Sequence, residues 1–214
     1  MSKTKLFFIR HGESQANERG LFLGHADLDL TALGKAQAET TARYLKNIPV
    51  DAIYSSDLLR AYHTAEATAK AVGLPVTKEK ALREIHCGEW EKQPFTLLNE
   101  RYEKSYGIWR TNIGCACPDG GESVVELQTR VVAAVERIAK ANEGKTVFVF
   151  THATPIRVFA AFCENKPKEE IKDIPWATNA SVTSAEYENG KFTLIAYSMD
   201  EFMGDMLTAL PNNV

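Results

Sequence analysis

A chain of 214 residues with 44% hydrophobic content is long enough to close one sizeable core, and its composition excludes a disordered, collagen-like or coiled-coil protein. Its 25 basic and 28 acidic residues leave a formal net charge of −3, which excludes a global attraction to nucleic acid or to an anionic membrane, so any bound anion must be held by a local pocket. The start, MSKTKLFFIRHGE, has too short an apolar run for a signal segment or a membrane span, and a cytoplasmic chain is the expectation.

KLFFI is a short continuous apolar run, the pattern of a strand covered on both faces. TALGKAQAETTARYLKN then places Leu33, Ala36, Thr40 and Tyr44 along one helical face, with Thr31 as N-cap. VDAIYSS reads as a second strand. DLLRAYHTAEATAKAVG reads as a helix with Leu58, Tyr62, Ala65, Ala69 and Val72 on one side, closed by Gly73. LPVTKEKAL is a weaker strand. An aromatic-rich stretch follows, residues 90–121, with a helical portion from Phe95 to Trp109, and it is expected to act as a cap.

GESVVELQTRVVAAVERIAKANEG is the clearest helix, with Val124, Leu127, Val131, Val135 and Ile138 on one face and a capping box of Ser123 with Glu126. KTVFVFTH follows as a strand and TPIRVFAAFC as a helix, with Pro155 suited to its first position. SVTSAEYE and KFTLIAYS flank Asn189-Gly190, a hairpin turn. The alternation predicts one α/β domain over residues 1–214, a three-layer α/β/α sandwich with a mainly parallel sheet and the cap over the C-terminal ends of its strands.

In such sheets ligands sit beyond the carboxyl ends of the strands. There the sequence puts Arg10 and His11 after the first strand, Ser55, Ser56 and Arg60 after the second, and His152 after the TVFVF strand. A cation at Arg60, in the first turn of a helix, opposes the macrodipole by about 0.3–1 kcal/mol on its own, and a bound anion reverses that sign. The helix after His152 offers free backbone N–H groups. These features describe a phosphate pocket, in which one neutral imidazole attacks phosphorus and the other, when cationic, stabilises charge on the equatorial oxygens. A proton donor is then needed. Glu84 is placed for it, after the third strand and before the cap, although periodicity alone does not select it over Glu13, Glu89 or Glu91.

FFIRHGESQAN resembles the signature of the histidine phosphatase superfamily, also called phosphoglycerate mutase-like. GHADLDLTALGKAQA, IYSSDLLRAYHTAE, LREIHCGEWE, PDGGESVVELQTR and VFVFTHATPIRV resemble further blocks of that family, in family order and over most of the chain. The resemblance implies that His11 is phosphorylated on an imidazole nitrogen, that Arg10, Arg60 and His152 hold the phosphoryl group, and that Asn17 adds a hydrogen bond to it. It implies that Glu84 protonates the leaving group and later activates water or a second alcohol, with no metal and no cofactor. Two positions depart from the family. Ala153 stands where Gly usually follows the second histidine, with its backbone N–H still available to the substrate, and Lys92-Gln93-Pro94 stands where Gly usually follows GEWE.

The reading that follows is a phosphomonoesterase acting on a small phosphorylated metabolite. The alternatives are a phosphoglycerate-type mutase and a non-catalytic phospholigand-binding module, which has no need of a proton donor. Cys87, Cys115, Cys117 and Cys163 are expected to be reduced thiols; the Cys115-Ala116-Cys117 pair lacks a second pair or nearby histidines to complete a zinc site. His25, His63 and His86 have no metal-binding spacing, and Trp90, Tyr102, Tyr106 and Trp109 are read as packing the cap on the core, with lining of a substrate cleft as the alternative. Oligomeric state, substrate identity and a role for the cysteine pair are not specified by the sequence.

Overall fold

The structure, a computed structural model, describes residues 2–208; residue 1 and residues 209–214, the two ends of the expected 1–214 unit, lie outside the described residues. Six strands form one sheet: β1 (Thr4–Arg10), β2 (Ala52–Ser55), β3 (Val76–Lys78), β4 (Thr146–Thr151), β5 (Val182–Glu188) and β6 (Lys191–Met199), in the order β3-β2-β4-β1-β5-β6. The first four in that order are parallel to their neighbours, and β5 and β6 add an antiparallel hairpin. Asn189 and Gly190 both take positive φ at its turn, as a two-residue loop matched to strand twist requires.

Alternation along the central strands divides the core between two faces. Leu6, Phe8, Val147 and Val149 point to one side and pack with α6 (Val124–Ala141) and α7 (Ala153–Cys163). Ile9, Phe148 and Phe150 point to the other, against Leu45 of α2 (Ala32–Leu45) and Ala65 of α3 (Leu59–Val72). Helices on both faces of a mainly parallel sheet are the α/β/α sandwich expected from the sequence, and they explain why β4 is apolar without interruption.

Local signals account for most boundaries. Thr31 caps α2 by accepting from the Gly34 N–H, and Ser123 with Glu126 closes the capping box of α6. Gly73 ends α3 at φ 75°. Three expectations are corrected. The inward face of α2 is Gly34, Gln37, Ala38, Thr40, Thr41, Ala42 and Leu45, so Thr40 is buried as expected while Leu33 and Ala36 are exposed. The helical part of the cap is two helices, α4 (Phe95–Arg101) and α5 (Glu103–Thr111), broken at Tyr102. Pro155 is the third residue of α7, not the first, which costs nothing because the first turn has no intrahelical acceptors for its N–H groups. The short α1 (Gln15–Arg19), not foreseen, starts at a capping box formed by Ser14 and Asn17.

The departure at Lys92 has a visible consequence. Lys92 sits at φ 61°, in the left-handed region, and its N–H donates to Phe22 O while Phe22 N–H donates to Gln93 O. These bonds tie the segment after GEWE to the 20–24 loop. Lys92→Gly is therefore expected to raise stability by about 0.5–1 kcal/mol by relieving the left-handed penalty, read as the midpoint of chemical denaturation.

Candidate active site

The register of the parallel strands builds the site. Arg10 of β1 pairs with Thr151 of β4, and Ser55 of β2 pairs with Phe150, so the residues that follow emerge on one edge of the sheet. His11 N–H donates to Thr151 O at 3.1 Å, and the His11 and His152 rings lie 5.2 Å apart between centroids at 64°. Arg60, in the first turn of α3, is 2% exposed. Its guanidinium donates to Gly24 O at 2.8 Å and Ala26 O at 3.3 Å. Arg10 is likewise buried, with Nη1 donating to Ala177 O at 2.5 Å.

A cleft of about 630 Å³ opens over these groups, lined at its floor by Arg10, His11, Arg60 and Glu84. Ala153 and Thr154, at the N-terminus of α7, also reach it. His152 is fully buried and lies outside the cleft's lining, behind His11. Its Nε2 is 2.8 Å from Ser56 Oγ, and its Nδ1 has no partner. Arg10 Nε is also buried without a partner. A buried guanidinium N–H left without a partner is what an oxyanion would satisfy.

The protonation states follow from geometry. His11 Nδ1 lies 2.7 Å from Gly12 O, and a carbonyl can only accept, so in the neutral ring Nδ1 carries the hydrogen and Nε2 keeps its lone pair. Burial, then the charges of Arg60 and Arg10, lower the pKa of His11 well below its usual value. Burial and Arg60 do the same to His152. Both imidazoles are neutral at pH 7, which corrects the expectation of a cationic second imidazole: burial beside Arg60 disfavours its charged form. Arg10 and Arg60 are lowered to about 10 by burial and stay cationic. Glu84 moves the opposite way: burial raises its carboxyl above the usual range, against the pull of hydrogen bonds from Ile85 N–H (2.8 Å) and Thr154 N–H (3.3 Å).

The Asn17 side chain lines the cleft with its Oδ1 already engaged, accepting from Ser14 N–H at 3.0 Å, Ser14 Oγ at 2.9 Å and Asn179 Nδ2 at 3.3 Å. This fixes the amide orientation and leaves its NH2 as the group able to face an anion. Glu122, just before α6, takes the Arg130 guanidinium, with Arg130 Nε 2.9 Å from Glu122 Oε2. Arg130 was not singled out in the sequence, yet its Nη atoms donate to the carbonyls of Ala81, Arg83 and Glu84 at 2.9, 2.9 and 2.7 Å, clamping the loop that carries Glu84. The cleft's apolar wall is Leu21, Phe22, Leu23, Phe95, Trp109 and Trp176, of which the sequence offers Trp109 alone as a cleft residue. Trp109 packs the cap on the core and lines the cleft as well, whereas Trp90 and Tyr106 are fully buried. Among the described residues no group of three or more His, Cys, Asp or Glu is disposed to hold a metal ion, and no helix is long and apolar enough to cross a membrane.

The loop that carries His11 rests directly on α2. A Cβ at Gly34 would come within 2.0 Å of Glu13 O, and one at Gly12 within 2.4 Å of Gly34 O. Gly34→Ala is expected to destabilise by about 1–3 kcal/mol through overpacking. It should also lower activity, because the Gly12 carbonyl that orients His11 must move. Gly107→Ala, where an added Cβ meets nothing within 4 Å, is the control and should be neutral or mildly stabilising. Thermal denaturation and kcat of the two variants check this.

Comparison with known proteins agrees with this geometry. Residues 6–200 match the family described as the histidine phosphatase superfamily (branch 1). The chain is 36% identical over 159 residues to phosphoserine phosphatase 1 of Hydrogenobacter thermophilus, covering 74% of each chain. It is 32% identical over 167 residues to the adenosylcobalamin/alpha-ribazole phosphatase of Escherichia coli, covering 78% of this chain and 82% of that one. Among solved structures it is similar to Bacillus stearothermophilus YhfR, with a TM-score of 0.90 at 28% identity, covering 94% of this chain and 99% of that one.

Proposed function

The chain belongs to the histidine phosphatase superfamily and is a phosphatase of small phosphorylated metabolites, and from that premise we propose that it acts through a phosphohistidine formed on Nε2 of His11. The observation that carries this reading is the His11 Nδ1–Gly12 O hydrogen bond, which presents an unprotonated Nε2 beside two buried arginines. Nε2 attacks phosphorus in line; the P–N bond forms as the ester P–O bond breaks. Arg10, Arg60, the Asn17 amide and the Ala153 N–H, which line the cleft, take the phosphoryl oxygens, so charge developing there meets donors already in place, and His152, packed against His11, joins them through its unpartnered Nδ1 once the phosphoryl group is on His11. Glu84, whose pKa burial raises, gives a proton to the departing alkoxide from its protonated form. As a carboxylate it then takes a proton from water, whose oxygen attacks phosphorus, breaks the P–N bond and releases inorganic phosphate.

We further propose that residues 1–214 work as a single unit in the cytoplasm, with the cap segment at about 90–121 choosing the leaving group. The phosphoryl charge is met by arginines, so turnover is expected to be unaffected by chelators. Rapid quench with a 32P-labelled monoester tests the intermediate: an acid-labile, base-stable phosphoprotein is expected, and its absence during turnover would refute the phosphohistidine pathway.

A further inference from the structure

The charged side chains of the cleft lining are Arg10, Arg60 and Glu84, and all three stand at the floor around His11. The two guanidiniums match one phosphoryl dianion, and the lining holds no further Arg or Lys for a second anionic group. Above them the wall is Leu21, Phe22, Leu23, Phe95, Trp109 and Trp176. This wall is ordered. Trp109 and Trp176 lie near-parallel, 26° apart with ring centroids at 6.1 Å, and Phe22 packs edge-on to Trp109 at 5.0 Å and to Phe95 at 5.9 Å. Trp176 is held from behind the wall by Arg157, whose guanidinium carbon sits 4.2 Å from the ring centroid. Arg157 is in turn fixed to Ile171 O at 3.2 Å and Lys172 O at 2.9 Å, so it is committed to the wall and is absent from the lining. His25, whose Nε2 lies 3.0 Å from Glu84 O, and His86, whose ring is 5.1 Å from that of His25, are also absent from it.

We infer that the substrate is a phosphate monoester of an apolar or aromatic alcohol that carries no carboxylate, with the ring or hydrocarbon seated between Trp109, Trp176 and the Leu21–Leu23 loop. This rests on the phosphatase reading above and narrows it. Bringing a leaving-group carboxylate against this wall strips its water and returns no ion pair or hydrogen bond, a penalty that appears mainly as weaker binding. A planar or aliphatic group gains burial against three aromatic rings. The relatives named for phosphoserine and for alpha-ribazole phosphate esters fall on opposite sides of this line.

The test is kcat/KM of the wild-type enzyme for 3-phenylpropyl phosphate against 3-phosphoglycerate and phosphoserine, alkyl esters chosen to keep alkoxide leaving-group chemistry comparable. The phenylpropyl ester is expected to be favoured about tenfold or more, mostly through KM. Leu23→Arg, which places a cation on the wall, should narrow the gap by raising kcat/KM for 3-phosphoglycerate. Equal or better use of the two carboxylate esters by the wild type would overturn the inference. Trapping labelled His11 in the same samples reads the catalytic proposal separately. Equal turnover with His11 labelled removes the substrate class alone, and turnover with His11 unlabelled removes the phosphohistidine pathway alone.

Discussion

Replacing His11 with Asn is expected to reduce kcat by about 10³–10⁶-fold while leaving a folded protein, because the nucleophile is lost and the rest of the pocket stays. Asn is the better replacement than Ala, since its amide can still donate to the Gly12 carbonyl that now accepts from His11 Nδ1. The loss should fall on kcat. Arg10, Arg60 and the α7 N-terminus remain to bind phosphate, so inhibition by inorganic phosphate or vanadate should persist in the variant. Rapid-quench labelling should vanish. A variant that still forms the acid-labile phosphoprotein would move the nucleophile elsewhere, and His152 is the only other imidazole packed against His11 among the described residues. Arg60→Lys should behave differently: the charge stays, but the fork that reaches Gly24 O and Ala26 O is gone, so phosphate inhibition should weaken together with turnover.

How far the sequence reveals this site depends on how each residue is positioned. Arg10, His11 and His152 follow apolar strands, and parallel register brings strand ends together, so the periodic signal carries the polar residues with it. Arg60 is legible for the same reason, in the first turn of a helix that follows a strand. Trp109 aside, the wall is not legible. Leu21, Phe22 and Leu23 lie in an irregular loop, and Trp176 lies beyond a 3-10 turn, where no period marks an inward face. The one available signal is an apolar triplet between Gly20 and Gly24, three residues with nothing local to bury against.

The inward face of α2 was misread for a different reason. Gln37 and Thr41 are fully buried, and apolar periodicity does not count them. Their burial is tolerated because each polar atom is used: Gln37 Oε1 accepts from Glu13 N–H at 2.7 Å, its Nε2 donates to Met206 O at 2.8 Å, and Thr41 Oγ1 donates to Ala180 O at 2.9 Å. The first of these bonds ties α2 to the loop that carries His11, so the feature hidden from a hydrophobic reading is one that supports the site. Arg130 is hidden likewise. On sequence it is one charge on a long amphipathic helix, and only the fold brings it under the carbonyls of residues 81–84.

Glu84→Gln should separate the two halves of the reaction by leaving group. For an alkyl phosphate the departing alkoxide needs a proton, and kcat should fall by about 10²–10⁴-fold. For p-nitrophenyl phosphate the phenolate leaves unaided, so His11 should still be phosphorylated, while hydrolysis of the intermediate slows for want of a base. A burst of p-nitrophenol followed by a slow steady rate, with labelled enzyme accumulating, is the expected record. The pH profile adds a second reading. Burial raises the Glu84 pKa, so the protonated form persists above the ordinary carboxylate range, and wild-type kcat/KM on alkyl esters should decline on the alkaline side as that proton is lost. The acid-side decline belongs to His11, whose pKa is lowered by burial and the neighbouring arginines, so it should lie well below pH 6.5. Glu84→Gln should erase the alkaline limb and keep the acid one. Equal losses on both leaving groups with an unchanged profile would assign the proton transfer to another residue and leave Glu84 a structural role beside Thr154.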